Sequence, residues 1–465
     1  MKSLQIKNNQ LSLLHLTWPI FLEVFLFMFM GIADTFMLSA LSDHAVAGVG
    51  AANQYLTIAI LILEVVGNGA AIVVAQYLGS KRYKEASKIS ALAATLNLFI
   101  GIIISVTFLI FSKQMMVGLN LQDDVLYYAT KYLGIVGGGI FLQAIINALA
   151  AIIRVHGWTK QAMYVSLGMN IIHIIGNYVL IFGKFGFPEL GVQGAAISSV
   201  GSRFIALIVF LWLLYRALNV KVKLHYYFNF SRTYISKILK IGIPSGIEQV
   251  MYQGCQLVFL FFVTFLGAET LAARQYVMNI SMFTYLFAIA IGMGTSIIVG
   301  RLVGANEKET AYTRVWESVK WSLGITCIMV VLIMLLRKPL IGLFTDHPDV
   351  IEIGAYVLLF SLLLETSRSI NIVLVNSLRA SGDAKYPLII GSFSMVLMSV
   401  PLGYFLVFHL DLGLVGIWIA IATDEWIRAC IFFFRWRGRK WEKHALVPPE
   451  DVLEEAIVTE VESTS

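Results

Sequence analysis

The sequence predicts an all-α polytopic membrane protein, with about twelve transmembrane helices in two six-helix bundles related by a pseudo-two-fold axis along the membrane normal. Three observations lead there. Of 465 residues, 58% are hydrophobic and 13% charged, against about 25% charged in soluble domains. Apolar stretches long enough to cross a bilayer recur along the chain. One constant offset, the one that takes Pro19 to Pro244, brings one half of the chain onto the other.

The spans fall near 13–38, 50–78, 88–112, 125–153, 161–183, 192–216, 238–266, 272–302, 314–336, 350–378, 386–409 and 412–436. All are read as helices, because an open sheet leaves its backbone polar groups unsatisfied in lipid. The first span, Trp18 to Ala40, is almost wholly apolar yet carries Glu23 and Asp34. An ionised acid in hydrocarbon costs on the order of 2.5–3.5 kcal/mol on insertion scales. The spacing from Glu23 to Asp34 is close to three helical turns, so the two acids share one stripe about 16 Å long. Each is either a buried structural polar group or a proton or cation site on a transport path.

Basic residues alternate between loops. One set holds Lys81, Arg82, Lys84 and Lys88, then Arg154 and Lys160, then Lys221, Lys223, Arg232, Lys237 and Lys240. It continues with Arg301 and Lys308, Arg379 and Lys385, and Arg435, Arg437, Arg439, Lys440 and Lys443. The other set holds little beyond Lys113, Lys184, Arg274, Arg337 and Lys338. The first set, with both termini, is expected in the cytoplasm of a cell-membrane protein. The domain reading is an N-terminal lobe over 1–216, a linker over 217–237, a C-terminal lobe over 238–436 and a polar, acidic tail over 437–465. From Val447 to Ser465 a mobile tail is expected, carrying Glu450, Asp451, Glu454, Glu455, Glu460 and Glu462.

The net charge of +6 follows from these loops and does not indicate nucleic-acid binding. Cys255, Cys327 and Cys430 sit in apolar segments without ligand-like spacing, so neither a disulfide nor a metal site is inferred. MKSLQIKNNQ is a polar lead-in, and no cleavable signal peptide is visible. The motifs HExxH and GxSxG are absent, which argues against a membrane-embedded enzyme.

The constant offset superposes special positions. Pro19 meets Pro244, Glu23 meets Glu248, and Gly67 and Gly69 meet Gly292 and Gly294. Gly79 meets Gly304, Ala86 meets Ala311, Lys113 meets Lys338 and Asp124 meets Asp349. Arg154, Gly157 and Lys160 meet Arg379, Gly382 and Lys385. Each repeat holds an even number of spans, so both halves enter the membrane in the same sense. Two such bundles can rock about a site near the midplane, which is the expected alternating-access geometry.

The stretches GIADTFMLSALSDHAVAGVGAANQY, VVAQYLGSKRYKEA, GIPSGIEQ, IVGRLVGANEKETA and LVNSLRASGDAKYP together resemble the MATE family, the multidrug and toxic compound extrusion transporters. The resemblance spans roughly residues 10–436. It implies a two-lobe, V-shaped antiporter that expels organic cations and other amphipathic compounds in exchange for H⁺ or Na⁺. It also implies that Asp34, at the first-helix acid of the IADT-like motif, is a coupling residue. Where many relatives carry Asn and Asp four apart in the fifth helix, this sequence has His173 and Asn177 in MNIIHIIGNYVLIFG. Ser199, in GAAISS, falls where relatives use a Thr hydroxyl. Asp34, the Asn177 carbonyl and the Ser199 hydroxyl would give Na⁺ three oxygens with one charge. His173 adds a group that titrates near neutrality, so the expected coupling ion is H⁺, with Na⁺ as the second option and no cofactor. His173 also has a plain reading as a hydrogen-bonded packing residue.

Glu248, the repeat partner of Glu23, resembles a seventh-helix acid of Na⁺-coupled relatives. Glu365 and Arg368 are spaced i, i+3, and Asp424 and Arg428 i, i+4 with Glu425 beside them, so each acid and base share a helix face. If these groups converge, two ion pairs form and two carboxylates are left for a proton, a cation or a substrate amine. A structural salt-bridge network is the other reading. Glu248 and Glu365 join the coupling candidates; Arg368, Asp424, Glu425 and Arg428 form the charge network. Glu23, Gln54, Gln249 and Tyr252 are candidates to line the substrate cavity. Arg203 is a lone intramembrane base that either pairs with a first-lobe acid or snorkels. The expected partners are amphipathic small molecules and membrane lipids, with one chain sufficient as a functional monomer. A lipid-linked precursor flippase, or an exporter of a specific anionic metabolite, is the rival within transport. The balanced or acidic core charges argue against the flippase.

Overall fold

A computed structural model describes residues 12–121, 123–217, 224–228 and 230–447. All regular structure among them is helical. The first half runs α1 (Leu13–Ser39), α2 (Asp43–Gly79), α3 (Tyr83–Val117), α4 (Asp123–Tyr132), α5 (Ile140–Val155), α6 (Thr159–Ile181) and α7 (Val192–Ala217). The second runs α8 (Arg232–Thr264), α9 (Ala268–Gly304), α10 (Lys308–Leu335), the short α11 (Arg337–Gly342), α12 (Pro348–Leu359), α13 (Ser361–Ser381), α14 (Lys385–Ser394), α15 (Val400–Phe408) and α16 (Gly413–Arg437).

Eight helical stretches are long and apolar enough to cross a membrane, with α14 and α15 counted as one span, and two bent helix pairs also qualify. The two remaining expected spans, α8 and α16, have 33 and 25 residues. Their length suffices at about 1.5 Å per residue. Polar side chains dilute them: Glu248, Gln249, Gln253 and Gln256 in α8, and Asp424, Glu425 and Arg428 in α16. Counted together, these are the twelve passes that the sequence predicts, in a multi-pass membrane protein. The tail acids beyond Val447, and Lys221 and Lys223 of the expected linker, lie outside the described residues.

The chain divides into two compact units. One comprises Met1–Val74 and Arg82–Gly246, the other Ala75–Lys81 and Ile247–Ser465. In the first, Leu63 of α2 is fully buried with Leu133, Ile140 and Ala144 of the fourth span. In the second, Val263, Val277, Ile341, Val357 and Ile417 form the corresponding core.

The bends repeat as the sequence does. The pair Asp123–Gly137 and Ile140–Val155 is bent by 48°, and the pair Pro348–Leu359 and Ser361–Ser381 by 50°. The first bend follows a π-helical turn, Leu133–Gly137, and such turns interrupt α-helices at functional sites. Acidic residues open both bent spans, Asp123 and Asp124 in α4 and Asp349 in α12, where the helix dipole favours negative charge.

Glycines permit the closest approach in the second unit. A Cβ on Gly79 would lie 1.9 Å from the Arg301 carbonyl oxygen, and one on Gly304 would lie 1.9 Å from that of Gln76. The repeat offset takes Gly79 to Gly304 and Gln76 to Arg301, so the contact is reciprocal and needs glycine on both sides.

Residues 438–447, expected to begin the polar tail, are packed. Trp441 is fully buried and stacks on Trp436 with ring centroids 4.2 Å apart. The Leu446 N–H donates to Gln76 Oε1 at 2.7 Å, while Gln76 Nε2 donates to the Ala380 carbonyl at 2.7 Å. Gly382 ends α13 with φ +102°, where a Cβ would lie 2.0 Å from the His444 carbonyl oxygen.

Candidate functional site

The acid stripe of α1 lies against α6. Ser166 donates to Glu23 Oε1 at 2.9 Å, and Asn177 Nδ2 donates to Asp34 Oδ1 at 2.7 Å. Both contacts have the same sequence separation of 143, so α1 and α6 run parallel and in register. The spacing of the two acids therefore matches the spacing of Ser166 and Asn177.

At the Asp34 end, His173 Nε2 lies 2.7 Å from the same Oδ1, and Asn177 Nδ2 lies 3.2 Å from His173 Nε2. His173 is buried, whereas the Asp34 side chain keeps 22% of its exposure. The Ser198 hydroxyl donates to the His173 carbonyl at 2.8 Å, tying α7 to α6. Carboxylate and imidazole face each other at hydrogen-bond distance.

Asn177 turns its amide nitrogen to Asp34, and its Oδ1 is buried without a hydrogen-bond partner. Ser199 engages the Tyr132 hydroxyl. Tyr132 immediately precedes the π-helical turn Leu133–Gly137, a backbone feature with no plain sequence signature. Arg203 lies within electrostatic reach of both Asp34 and Tyr132.

Glu23 is not a free cavity acid. Arg154 Nη1 donates to both its carboxylate oxygens, at 2.9 and 3.0 Å. Charge counting along the sequence reads Arg154 and Arg379 only as loop charges; each lies in the last turn of its helix, α5 or α13. Arg379 Nη2 donates to Glu248 Oε2 at 2.7 Å, reproducing the first pair at the repeat offset. Glu64, in the apolar run ILILEVVG of α2, escapes the sequence reading and lies within electrostatic reach of Arg154.

Arg379 changes the expected charge count. Glu365 pairs with Arg368 at 2.7 Å, and Arg428 Nη2 reaches both Asp424 and Glu425 at 2.8 Å. With Glu248 on Arg379, four acids meet three guanidinium groups, and one carboxylate is in excess rather than two. Neutral donors serve the shared pair: Ser394 donates its hydroxyl to Asp424, and Asn371 Nδ2 donates to Glu425 Oε2 at 2.6 Å.

The repeat offset separates the two lobes chemically. It takes Asp34 to Phe259, Ser199 to Asp424 and Arg203 to Arg428. Both repeats keep the first-helix acid Glu23 or Glu248, but the second acid lies on the first helix in the first lobe, at Asp34, and on the last helix in the second, at Asp424. Among the suggested lining residues, Gln54 and Gln249 are exposed, and Tyr252 is half-buried beside Glu365 and Arg368. Glu269, His347 and Asp349 are exposed and bring one ligand atom each within 4.8 Å of one another; their long sequence separation hides this group from a reading of the sequence. The three cysteines are free.

Comparison with known proteins adds the lineage. The profile of the family described as MatE matches residues 19–179 and 244–405, two segments that open on the paired prolines of the repeat. An "Uncharacterized transporter YisQ" of Bacillus subtilis (strain 168) is 41% identical over 434 residues, 93% of this chain and 95% of that protein. A "Probable multidrug resistance protein NorM" of Thermotoga maritima is 28% identical over 457 residues, 97% of each chain. The fold matches a solved structure described as "Crystal structure of MATE in the bent conformation" with a TM-score of 0.86 and 21% identity, over 93% of this chain and 95% of that one.

Proposed function

This chain belongs to the MATE family of transporters, and we propose that it exports amphipathic, mostly cationic organic compounds in exchange for protons. The observation that carries the reading is the 2.7 Å contact between His173 Nε2 and Asp34 Oδ1. One proton added to this pair removes a negative charge next to Arg203, and one proton lost restores it. A transporter turns such a change into work only if one of its states binds the proton more tightly, and each tenfold of preference is worth about 1.4 kcal/mol.

The donor set around Asp34 supports H⁺ over Na⁺. The nitrogens placed against it, His173 Nε2 and Asn177 Nδ2, are poorer partners for Na⁺ than hard oxygens. The name shared by the NorM relatives, multidrug resistance protein, supports a broad small-molecule range. We place the protein in the cell membrane with both termini cytoplasmic, moving between inward- and outward-open states as a monomer surrounded by lipid.

The test is transport in liposomes with a fluorescent organic cation, under a pH gradient or a Na⁺ gradient imposed separately. Uphill movement with the pH gradient alone, abolished in Asp34→Asn, is the expected result. Movement that needs Na⁺ and survives Asp34→Asn but not Glu248→Gln would place coupling in the second lobe.

A further inference from the structure

The second unit contains a cavity of about 40 Å³ that the proton reading leaves unused. Arg274 of α9, Gln256 of α8 and the Glu365–Arg368 pair of α13 line it, with Ser281 of α9 and Trp418 of α16. Arg368 is matched by Glu365 at 2.7 Å, and its guanidinium lies over the Tyr285 ring at 5.2 Å. Arg274 has no such match. It is 6% exposed, and its one hydrogen bond among the described residues runs from Nη2 to the neutral Gln256 Oε1 at 3.3 Å.

The lining itself holds two guanidinium groups and one carboxylate. The carboxylate in excess elsewhere in the network, at Asp424 and Glu425, is outside the lining, and no acid among the described residues contacts Arg274. A buried charge without a contacting counter-charge carries a desolvation cost. The lining is also rich in donors. Arg368 Nε and Trp418 Nε1, which can only donate, and Ser281 Oγ, which can donate or accept, are buried with no hydrogen-bond partner, as is the acceptor Glu365 Oε2. A cavity with surplus positive charge and surplus donors complements an acceptor with one negative charge, and its volume suits one small group rather than a drug-sized molecule.

We propose that this cavity binds one monovalent anion, a halide or a carboxylate, between Arg274 and Arg368. The anion is either free in solution or the carboxylate of a cargo molecule whose remainder lies outside the cavity. Anion binding there does not depend on which ion drives transport.

The test uses the full chain purified in detergent, with thermal unfolding followed in sodium chloride, bromide, formate or gluconate at one ionic strength. The expected result is saturable stabilisation by chloride, bromide and formate over the bulky gluconate. Arg274→Gln weakens that affinity by roughly tenfold or more, as expected for loss of a charged hydrogen-bonding partner, and Arg274→Lys retains part of it. A rhodamine with a free carboxylate is then compared with its methyl ester in transport. A preference for the free acid that chloride competes away and Arg274→Gln removes assigns the site to cargo. Equal transport of the two, with anion stabilisation intact, assigns it to a free anion. Identical unfolding in all four salts, with no acid preference, overturns the proposal.

Discussion

Arg379 holds Glu248 at 2.7 Å, and the two are the repeat counterparts of Arg154 and Glu23, which close the same pair at 2.9 Å. In each repeat the link runs from the first helix to the last turn of the bent fourth span. All four side chains are mostly buried. The pair therefore fixes the same two elements in both lobes, and removal of either partner strands the other charge.

Single substitutions Glu23→Gln, Arg154→Gln, Glu248→Gln and Arg379→Gln are each expected to destabilise by about 3–5 kcal/mol, the cost of leaving a buried charge unpaired. The doubles Glu23→Gln/Arg154→Gln and Glu248→Gln/Arg379→Gln are expected to recover a large part of that loss. Denaturant titration of the purified variants in detergent measures it. Doubles no more stable than the sum of their singles would show that the partners do not act as pairs.

Gly79→Ala and Gly304→Ala each place a methyl group 1.9 Å from a backbone carbonyl oxygen. Overpacking of this kind costs about 1–3 kcal/mol or more, so both variants should unfold at lower temperature. Gly50→Ala, where nothing lies within 4 Å, is the control and should not. A normal melting temperature for Gly79→Ala would deny the close crossing.

Arg428→Met leaves Asp424 and Glu425 without their shared cation. It is expected to lower stability by about 3–5 kcal/mol, and far less when combined with Asp424→Asn and Glu425→Gln. Thermal unfolding of the single and triple variants checks this, and equal melting temperatures for the two would contradict the shared-cation arrangement.

Trp441→Ala removes a fully buried ring stacked on Trp436. Loss of such a side chain costs about 3–5 kcal/mol. Limited proteolysis should then cut within 438–447 faster than in the unsubstituted protein; an unchanged cleavage rate would mean that the segment is not held by this contact.

Much of this architecture is legible in the sequence because it rests on spacing. The helical passes follow from apolar length, and the repeat follows from a constant offset that the matched bends of 48° and 50° reproduce. The grouping of Asp34 with His173 and Asn177 is legible only through the family resemblance, and the contacts of 2.7 Å match it. The rest depends on backbone irregularity and on partners far apart in sequence. Ser199 meets Tyr132, which sits at the start of a π-helical turn. Arg154 and Arg379 look like loop charges, although an acid and a base each preserved at the same offset, Glu23 with Glu248 and Arg154 with Arg379, is the signal that pairs them. Charge counting alone places Arg274 in a loop set, and such counting carries no information on its burial.

Whether Asp34 and His173 hold the proton that substrate displaces is tested most directly by proton release. A fluorescent organic cation is added to the purified protein in weakly buffered, Na⁺-free detergent solution, and the pH change is followed. About one proton released per substrate bound is the expected result, if binding and protonation are linked competitively, with none from Asp34→Asn. Undiminished release from Asp34→Asn, or substrate binding without release, would contradict this role for the pair.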